Sequence, residues 1–297
     1  MMGQQKLPIL RVLCYCCYVI VYMLAGKTED TNMDTPNCLY KYKSLSNEEK
    51  KDHVREMFED HVVWFSKRSD FNDPFELHFS PSFEATTDEK IEVFTCALQK
   101  KNPNLTYESA KAEAMFAFSS PPSILEQWEQ KRLSLHEKRL NEEVGVFSLT
   151  EYNDDILRWS HYANEHRGIC IEFRPVEKEH EKFYYQAHKV VYPKDNRPPQ
   201  LNFYHYRKNP GELAVKCLAT KALHWKYEGE WRIIDVINGP GKRSIPSGII
   251  SSVILGCRIE SSNRNLMMRL ASSYATPVNI YQARIKSGYY ELEIQKI

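Results

Sequence analysis

The chain has 297 residues, 42% hydrophobic and 27% charged, and its 40 basic and 39 acidic side chains leave a formal net charge of +1. That length can bury a sizeable core, as one large domain or two small ones. The near-neutral balance excludes a chain-wide field directed at nucleic acid or membrane, and the composition is that of a globular protein.

Val12–Ala25 is nearly continuous apolar sequence preceded by Lys6 and Arg11. It reads as a signal peptide, a short membrane anchor or an extension upstream of a start at Met33; contact with a membrane follows only if the segment is retained. Residues 26–37 are polar, carry Pro36 and read as a linker. Leu39–Tyr42 is a strand, and Ser46-Asn47-Glu48-Glu49 opens a helix with acidic residues in its first turn. Val62–Ser66 is a second strand, ended by the turn Asn72-Asp73-Pro74. Residues 87–140 are mostly helical and charged, broken at Asn102-Pro103 and Pro121-Pro122, with Glu126–Glu143 a solvated helix.

From Val144 the chain becomes strand-rich. Val144–Leu149 is a strand, and Asp154–His166 has the apolar spacing of a helix through Ile156, Trp159, Tyr162 and Ala163. Ile169, Ile171 and Phe173 then alternate with Cys170 and Glu172, so Gly168 reads as a C-cap tolerating a positive φ between helix and strand. Strands follow at Lys189–Tyr192, Trp231–Ile237, Ile249–Leu255, Val278–Ala283 and Tyr290–Ile294, with a helix at Asn263–Ser273. The irregular alternation predicts an α+β fold with a mixed, largely antiparallel sheet: a leader and linker over 1–37, then one domain over 38–297 with a helical insert at about 87–143.

Outside the leader, Cys38, Cys96, Cys170, Cys217 and Cys257 are scattered with no C-x-x-C pair, which disfavours zinc and points to a reducing, cytoplasmic setting. His161 and His166 diverge by about 140° on a helix, wrong for a shared metal. P-loop, G-x-S-x-G, H-E-x-x-H and G-x-G-x-x-G signatures are missing. Four polar clusters remain: Tyr40-Lys41-Tyr42; Trp64-Phe65-Ser66 with Phe71-Asn72-Asp73-Pro74-Phe75-Glu76; the segment from Trp159-Ser160-His161-Tyr162 to Phe173; and His224-Trp225-Lys226-Tyr227-Glu228-Gly229-Glu230-Trp231-Arg232. On a strand, Glu228 and Glu230 face the same side.

In that order the clusters resemble the bacterial domain of unknown function 2971, over roughly residues 38–297. More distantly, a polar residue on the first strand, an aromatic-Ser strand and a late strand with glutamate are similar to ADP-ribosyltransferase folds, some of them toxins. That resemblance implies NAD as cofactor and Glu230 as the catalytic glutamate bound to the ribose 2′-hydroxyl, with Glu228 as understudy. It also implies contacts from Lys41 to the nicotinamide amide or a phosphate and from Ser66 to the ribose. Stabilisation of an oxocarbenium-like charge at C1′ by groups already in place would supply the catalysis. Tyr40, Tyr42, Asn72, Trp159, Ser160, Tyr162 and Arg232 complete the expected cofactor-binding wall, and His161 is a candidate acid or base.

Each residue also has a structural reading. Glu230 beside Arg232 and Lys226 fits an exposed strand ion pair; on the enzymatic reading Glu230→Gln abolishes activity and changes stability by under about 1 kcal/mol. Tyr42, Trp64, Trp225 and Trp231 fit a core, His161 a hydrogen-bonded buried histidine, and Asn72 a turn cap. The functions expected are an ADP-ribosyltransferase or NAD-cleaving effector (a toxin or phage-defence protein acting on nucleic acid or protein), a non-enzymatic nucleotide-binding or sensor module, or a metal-independent nuclease.

Overall fold

A computed structural model describes residues 35–119, 123–205 and 215–297. The apolar leader lies outside them, as do Pro121 and Pro122. Among the described residues no helix is long and apolar enough to cross a membrane. The strands are β1 (Leu39–Lys43), β2 (Val62–Phe65), β3 (Ser80–Ser82), β4 (Gly145–Thr150), β5 (Ile169–Phe173), β6 (His188–Lys189), β7 (Gln200–Asn202), β8 (Glu230–Asp235), β9 (Gly241–Ser244), β10 (Ile250–Leu255), β11 (Asn279–Ile285) and β12 (Leu292–Lys296). The α-helices are α1 (Glu48–Glu59), α2 (Thr87–Lys101), α3 (Tyr107–Ser119), α4 (Ser123–Glu142), α5 (Ile156–Tyr162), α6 (Lys178–Tyr184) and α7 (Ser261–Ser273).

These elements divide between two compact units. The smaller takes in Phe79–Glu137 and Gln200–Cys217, and so holds most of the insert expected at about 87–143 together with a later segment. Within it, Thr86 and Glu89 form a reciprocal capping box at the start of α2. Asn102-Pro103 ends that helix, as the missing proline donor requires. Arg132 lies 4.5 Å over the Trp128 ring and donates to the Phe203 carbonyl at 2.9 Å, and β3 pairs in parallel with β7.

The larger unit takes in Glu29–His78, Lys138–Pro199 and Leu218–Ile297. Its eight-stranded sheet runs β12-β11-β10-β5-β1-β4-β8-β6, and only β10 and β11 pair in parallel. This is the α+β architecture that the irregular spacing predicts. Every residue of β5 is buried. Its alternation therefore sorts residues between two covered faces rather than between core and solvent. Ile169, Ile171 and Phe173 join Leu39, Phe147 and Trp231 with Met57 of α1 and Met267 of α7, while Cys170 joins Tyr42 and Trp159 of α5. Lys189–Tyr192 supplies less strand than expected: β6 stops at Lys189, and Val191 makes one isolated bridge to Thr220.

Two local expectations are corrected between α5 and β5. The helix spans Ile156–Tyr162, not Asp154–His166; Asp155 caps it by accepting from the Arg158 N–H at 2.8 Å. It stops because Asn164, Glu165 and His166 take φ of 48°, 54° and 68°. Gly168 has no positive φ and is not the C-cap. Glycine is required there by close approach: a Cβ would lie 2.2 Å from the Lys43 carbonyl oxygen.

Gly168→Ala forces backbone apart in the core and is expected to destabilise by about 2–4 kcal/mol. Gly288→Ala, at φ 79° with nothing within 4 Å of the added methyl, should cost about 1 kcal/mol. Urea unfolding of the two variants checks the contrast, and equal losses would contradict the close-approach account.

Candidate functional site

The sheet comes apart at one seam. β1 pairs with β5 at five register positions and β4 with β8 at six, but β1 meets β4 only at Tyr40↔Thr150. Beyond that point the Lys41 ammonium, not a strand amide, donates to the Ser148 carbonyl at 2.7 Å. A cavity of about 450 Å³ opens at this seam, lined by Tyr40, Lys41, Tyr42, Lys50, Ser66, Asp70, Phe71, Asn72, Val146, Ser148, Arg158, His161, Tyr162, Lys221, Glu228 and Glu230. Ser66 is fixed there by a two-way backbone bridge to Val146.

Behind one wall lies a buried ionic network. The Glu230 carboxylate accepts from Arg232 Nε at 2.9 Å and Nη2 at 3.0 Å, and from Lys221 Nζ at 3.2 Å. Lys221 also donates to Glu228 at 2.6 Å, and the other Glu228 oxygen accepts from the Tyr162 hydroxyl at 2.6 Å. Glu76 lies 2.6 Å from Arg232 and 3.7 Å from Lys221. The expectation that Glu228 and Glu230 share one strand face is corrected. Glu228 ends a 3₁₀ turn over Leu223–Glu228, Gly229 is left-handed at φ 48°, and Glu230 opens β8. The turn between them brings both carboxylates onto Lys221.

Burial opposes ionisation of Glu230, but the charges of Arg232 and Lys221 override it and hold the carboxyl well below the usual range. For Glu76 burial wins, helped by the neighbouring Glu230 charge, and its pKa is raised. Lys221 is raised because Glu230, Glu228 and Glu76 outweigh its burial. Burial, then Lys43, lowers the Lys41 amine well below the ordinary lysine value. The expectation of an exposed Glu230 ion pair involving Lys226 is therefore corrected: the partners are Arg232 and Lys221, and Glu230 is 2% exposed.

Nine of the twelve expected site residues line the cavity: Tyr40, Lys41, Tyr42, Ser66, Asn72, His161, Tyr162, Glu228 and Glu230. His161 is exposed, with Nδ1 3.4 Å from the Tyr227 hydroxyl, not buried. Trp159, Ser160 and Arg232 do not reach the wall. Trp159 is wholly buried, edge-on to Tyr42 at 5.1 Å, with its indole N–H on the Asn153 carbonyl. Ser160 lies on α5 beside Trp159 but is not among the lining residues. Arg232 is buried behind Glu230, its Nη1 donating to the Leu218 carbonyl at 2.8 Å. Trp64, grouped with core aromatics, is partly exposed and stacks on His53.

Sequence reading missed Lys221, Arg158 and the role of Glu76. Arg158 donates to the Glu228 carbonyl and lies over the Tyr42 and Tyr162 rings. A lysine inside the otherwise apolar run Cys217–Leu223 was the available signal for Lys221.

With its folded pKa below the unfolded value of about 4.3, Glu230 stabilises the fold above that pH and loses the contribution as pH falls. Glu76, shifted upward, has the opposite sign: its ionised form is a cost that grows as pH rises through its folded value. At pH 7 Glu230→Gln should therefore destabilise by about 3–5 kcal/mol, by breaking a buried pair. Glu76→Gln should cost less than Glu230→Gln, because burial already opposes the ionised form of Glu76. Thermal melts from pH 3 to 8 check both signs.

Residues 158–233, about a quarter of the chain, match the family model described as "Protein of unknown function (DUF2971)". The match takes in the clusters of Trp159–Tyr162 and Trp225–Arg232; those at Tyr40–Tyr42 and Trp64–Glu76 lie outside it. Neither the curated proteins nor the solved structures give a match.

Proposed function

We propose that the protein cleaves the nicotinamide–ribose bond of NAD and transfers ADP-ribose to water or to an acceptor, as an effector of the toxin or phage-defence kind. One observation carries the reading: a glutamate, Glu230, held by Arg232 and Lys221, lines a cavity that also presents Tyr40, Lys41, Ser66 and His161. A volume of about 450 Å³ falls within the range of small-molecule sites.

The C1′–N bond breaks with its electron pair leaving on the nicotinamide, and positive charge develops at C1′. A carboxylate offers about four acceptor positions. Glu228 uses two on protein donors and so retains capacity for a ribose hydroxyl, while Glu230 uses at least three. Both carboxylates are oriented before substrate arrives, so no reorganisation is needed as charge grows. In this reading Arg232 is a positioning residue for Glu230, not a cofactor contact. Lys41 and Ser66 donate to amide or ribose oxygens, and His161 takes the proton of the attacking nucleophile.

A second reading, a nucleotide-binding module without turnover, is favoured by the same ion pairs, since a carboxylate so heavily engaged also suits a static wall. The nuclease reading rests on His161 and one carboxylate alone.

The test is release of free nicotinamide from NAD, followed by mass spectrometry. Glu230→Asp keeps a charge for Arg232 and Lys221 but withdraws it by one methylene. It should lower kcat at least about 100-fold while retaining more stability than Glu230→Gln. Saturable NAD binding with no product from the wild type would establish the second reading and end the first.

A further inference from the structure

A second cavity, of about 360 Å³, is lined by Phe75, His78, Pro193, Asn196, Arg197, Pro198, Pro199, Thr220, Lys221, Ala222 and His224. Three elements serve both cavities. The turn after β2 gives Asn72 to the first and Phe75 to the second; the Leu223–Glu228 turn gives Glu228 to the first and His224 to the second; Lys221 lines both. The two spaces are therefore neighbours across a shared wall.

Their chemistry differs. The first carries Asp70, Glu228 and Glu230, whereas no carboxylate lines the second. Its charged or ionisable side chains are Arg197, Lys221 and two histidines, and the Arg197 guanidinium is 84% exposed with only a 4.0 Å contact to Asp195. An exposed pair at that distance holds an arginine weakly, which leaves the guanidinium able to pair with a phosphate in planar, bidentate fashion. Phe75, 66% exposed, with the Pro193 and Pro198 rings that also line the cavity, offers apolar surface for a base. The wall is preformed. Asn196 accepts from the Leu223 N–H at 2.9 Å, and across the Val191↔Thr220 bridge the Val191 N–H donates to the Ala219 carbonyl while the Lys221 N–H donates to the Val191 carbonyl.

We propose that this second cavity is a mononucleotide subsite that takes the phosphate-bearing adenosine half of a dinucleotide whose other half lies in the seam cavity. The proposal rests on the function proposed above for the identity of the whole substrate, but not for the subsite itself. Arg197, with His78 and His224, contacts the phosphate; Phe75 stacks on the base.

AMP alone is the probe for the subsite. Calorimetry should show one site per chain, weakened at least tenfold in an Arg197→Ala/His224→Ala double variant and within twofold of wild type in Glu230→Asp. Both replaced residues are exposed, and an unchanged melting temperature verifies the fold. In turnover, Arg197→Ala should raise KM for NAD about tenfold but move KM for nicotinamide mononucleotide less than twofold. Absence of AMP binding at millimolar concentration, or binding indifferent to the double variant, overturns the subsite. An equal rise in KM for both substrates overturns its assignment to the adenosine half. AMP binding that maps to Arg197 and His224 in a protein that never releases nicotinamide supports the subsite while rejecting the NAD-cleaving reading.

Discussion

The pairing of Arg232 with Glu230 and Glu76 is the constraint around which the larger unit is organised. A guanidinium removed from water is tolerated only where its donors are matched, and here the partners come from three separate stretches of chain: the turn at Glu76, the Leu218 carbonyl and the start of β8. Lys221 extends the set to Glu228, and Tyr162 links it to α5. Three carboxylates and two cations so arranged cannot shift singly without stranding a charge. Rigidity at Glu230 is a consequence of that coupling more than of packing.

The same network explains why a cavity survives beside a well-filled core. Apolar faces of β1, β4, β5 and β8 close over α1 and α7, but β1 and β4 pair at a single position because polar groups fill the place of a ladder. Lys41 satisfies the Ser148 carbonyl, and Ser66 satisfies the backbone of Val146. Backbone groups at the gap are thereby partnered, as buried groups must be, without closing it. Polar side chains are left facing a space of small-molecule size.

Much of this fold was legible in the sequence because strand periodicity is local. Ile169–Phe173 was read to the residue, and β4, β8, β10 and β11 to within about two at each end. Errors arose where tertiary neighbours decide. Gly168 was assigned a dihedral role, but the Lys43 carbonyl that excludes a side chain there is 125 positions distant and invisible to local pattern. The exposed reading of Glu230 follows from how often paired charges lie at a surface, whereas β8 is buried throughout Glu230–Ile234. The four clusters did identify most of the cavity wall, since aromatic and charged residues gathered around turns signal more than propensity. Lys221 carries no such company; its one local mark is a charge within a mainly apolar run, and its role shows only in its position between three carboxylates.

The position of β1 has a consequence for how the site comes into being. This strand is the first described, yet its neighbours in the sheet lie at Gly145–Thr150 and Ile169–Phe173, and Lys41 meets Ser148 across 107 residues of chain. Synthesis runs from the N-terminus, and contacts so distant in sequence are costly to close early. A ribosome must therefore release Glu228, Glu230 and Arg232 before the cavity has a floor. Until then the nascent chain carries the Tyr40–Tyr42 segment with no pocket beside it, so whatever the site does begins only after synthesis has passed Arg232.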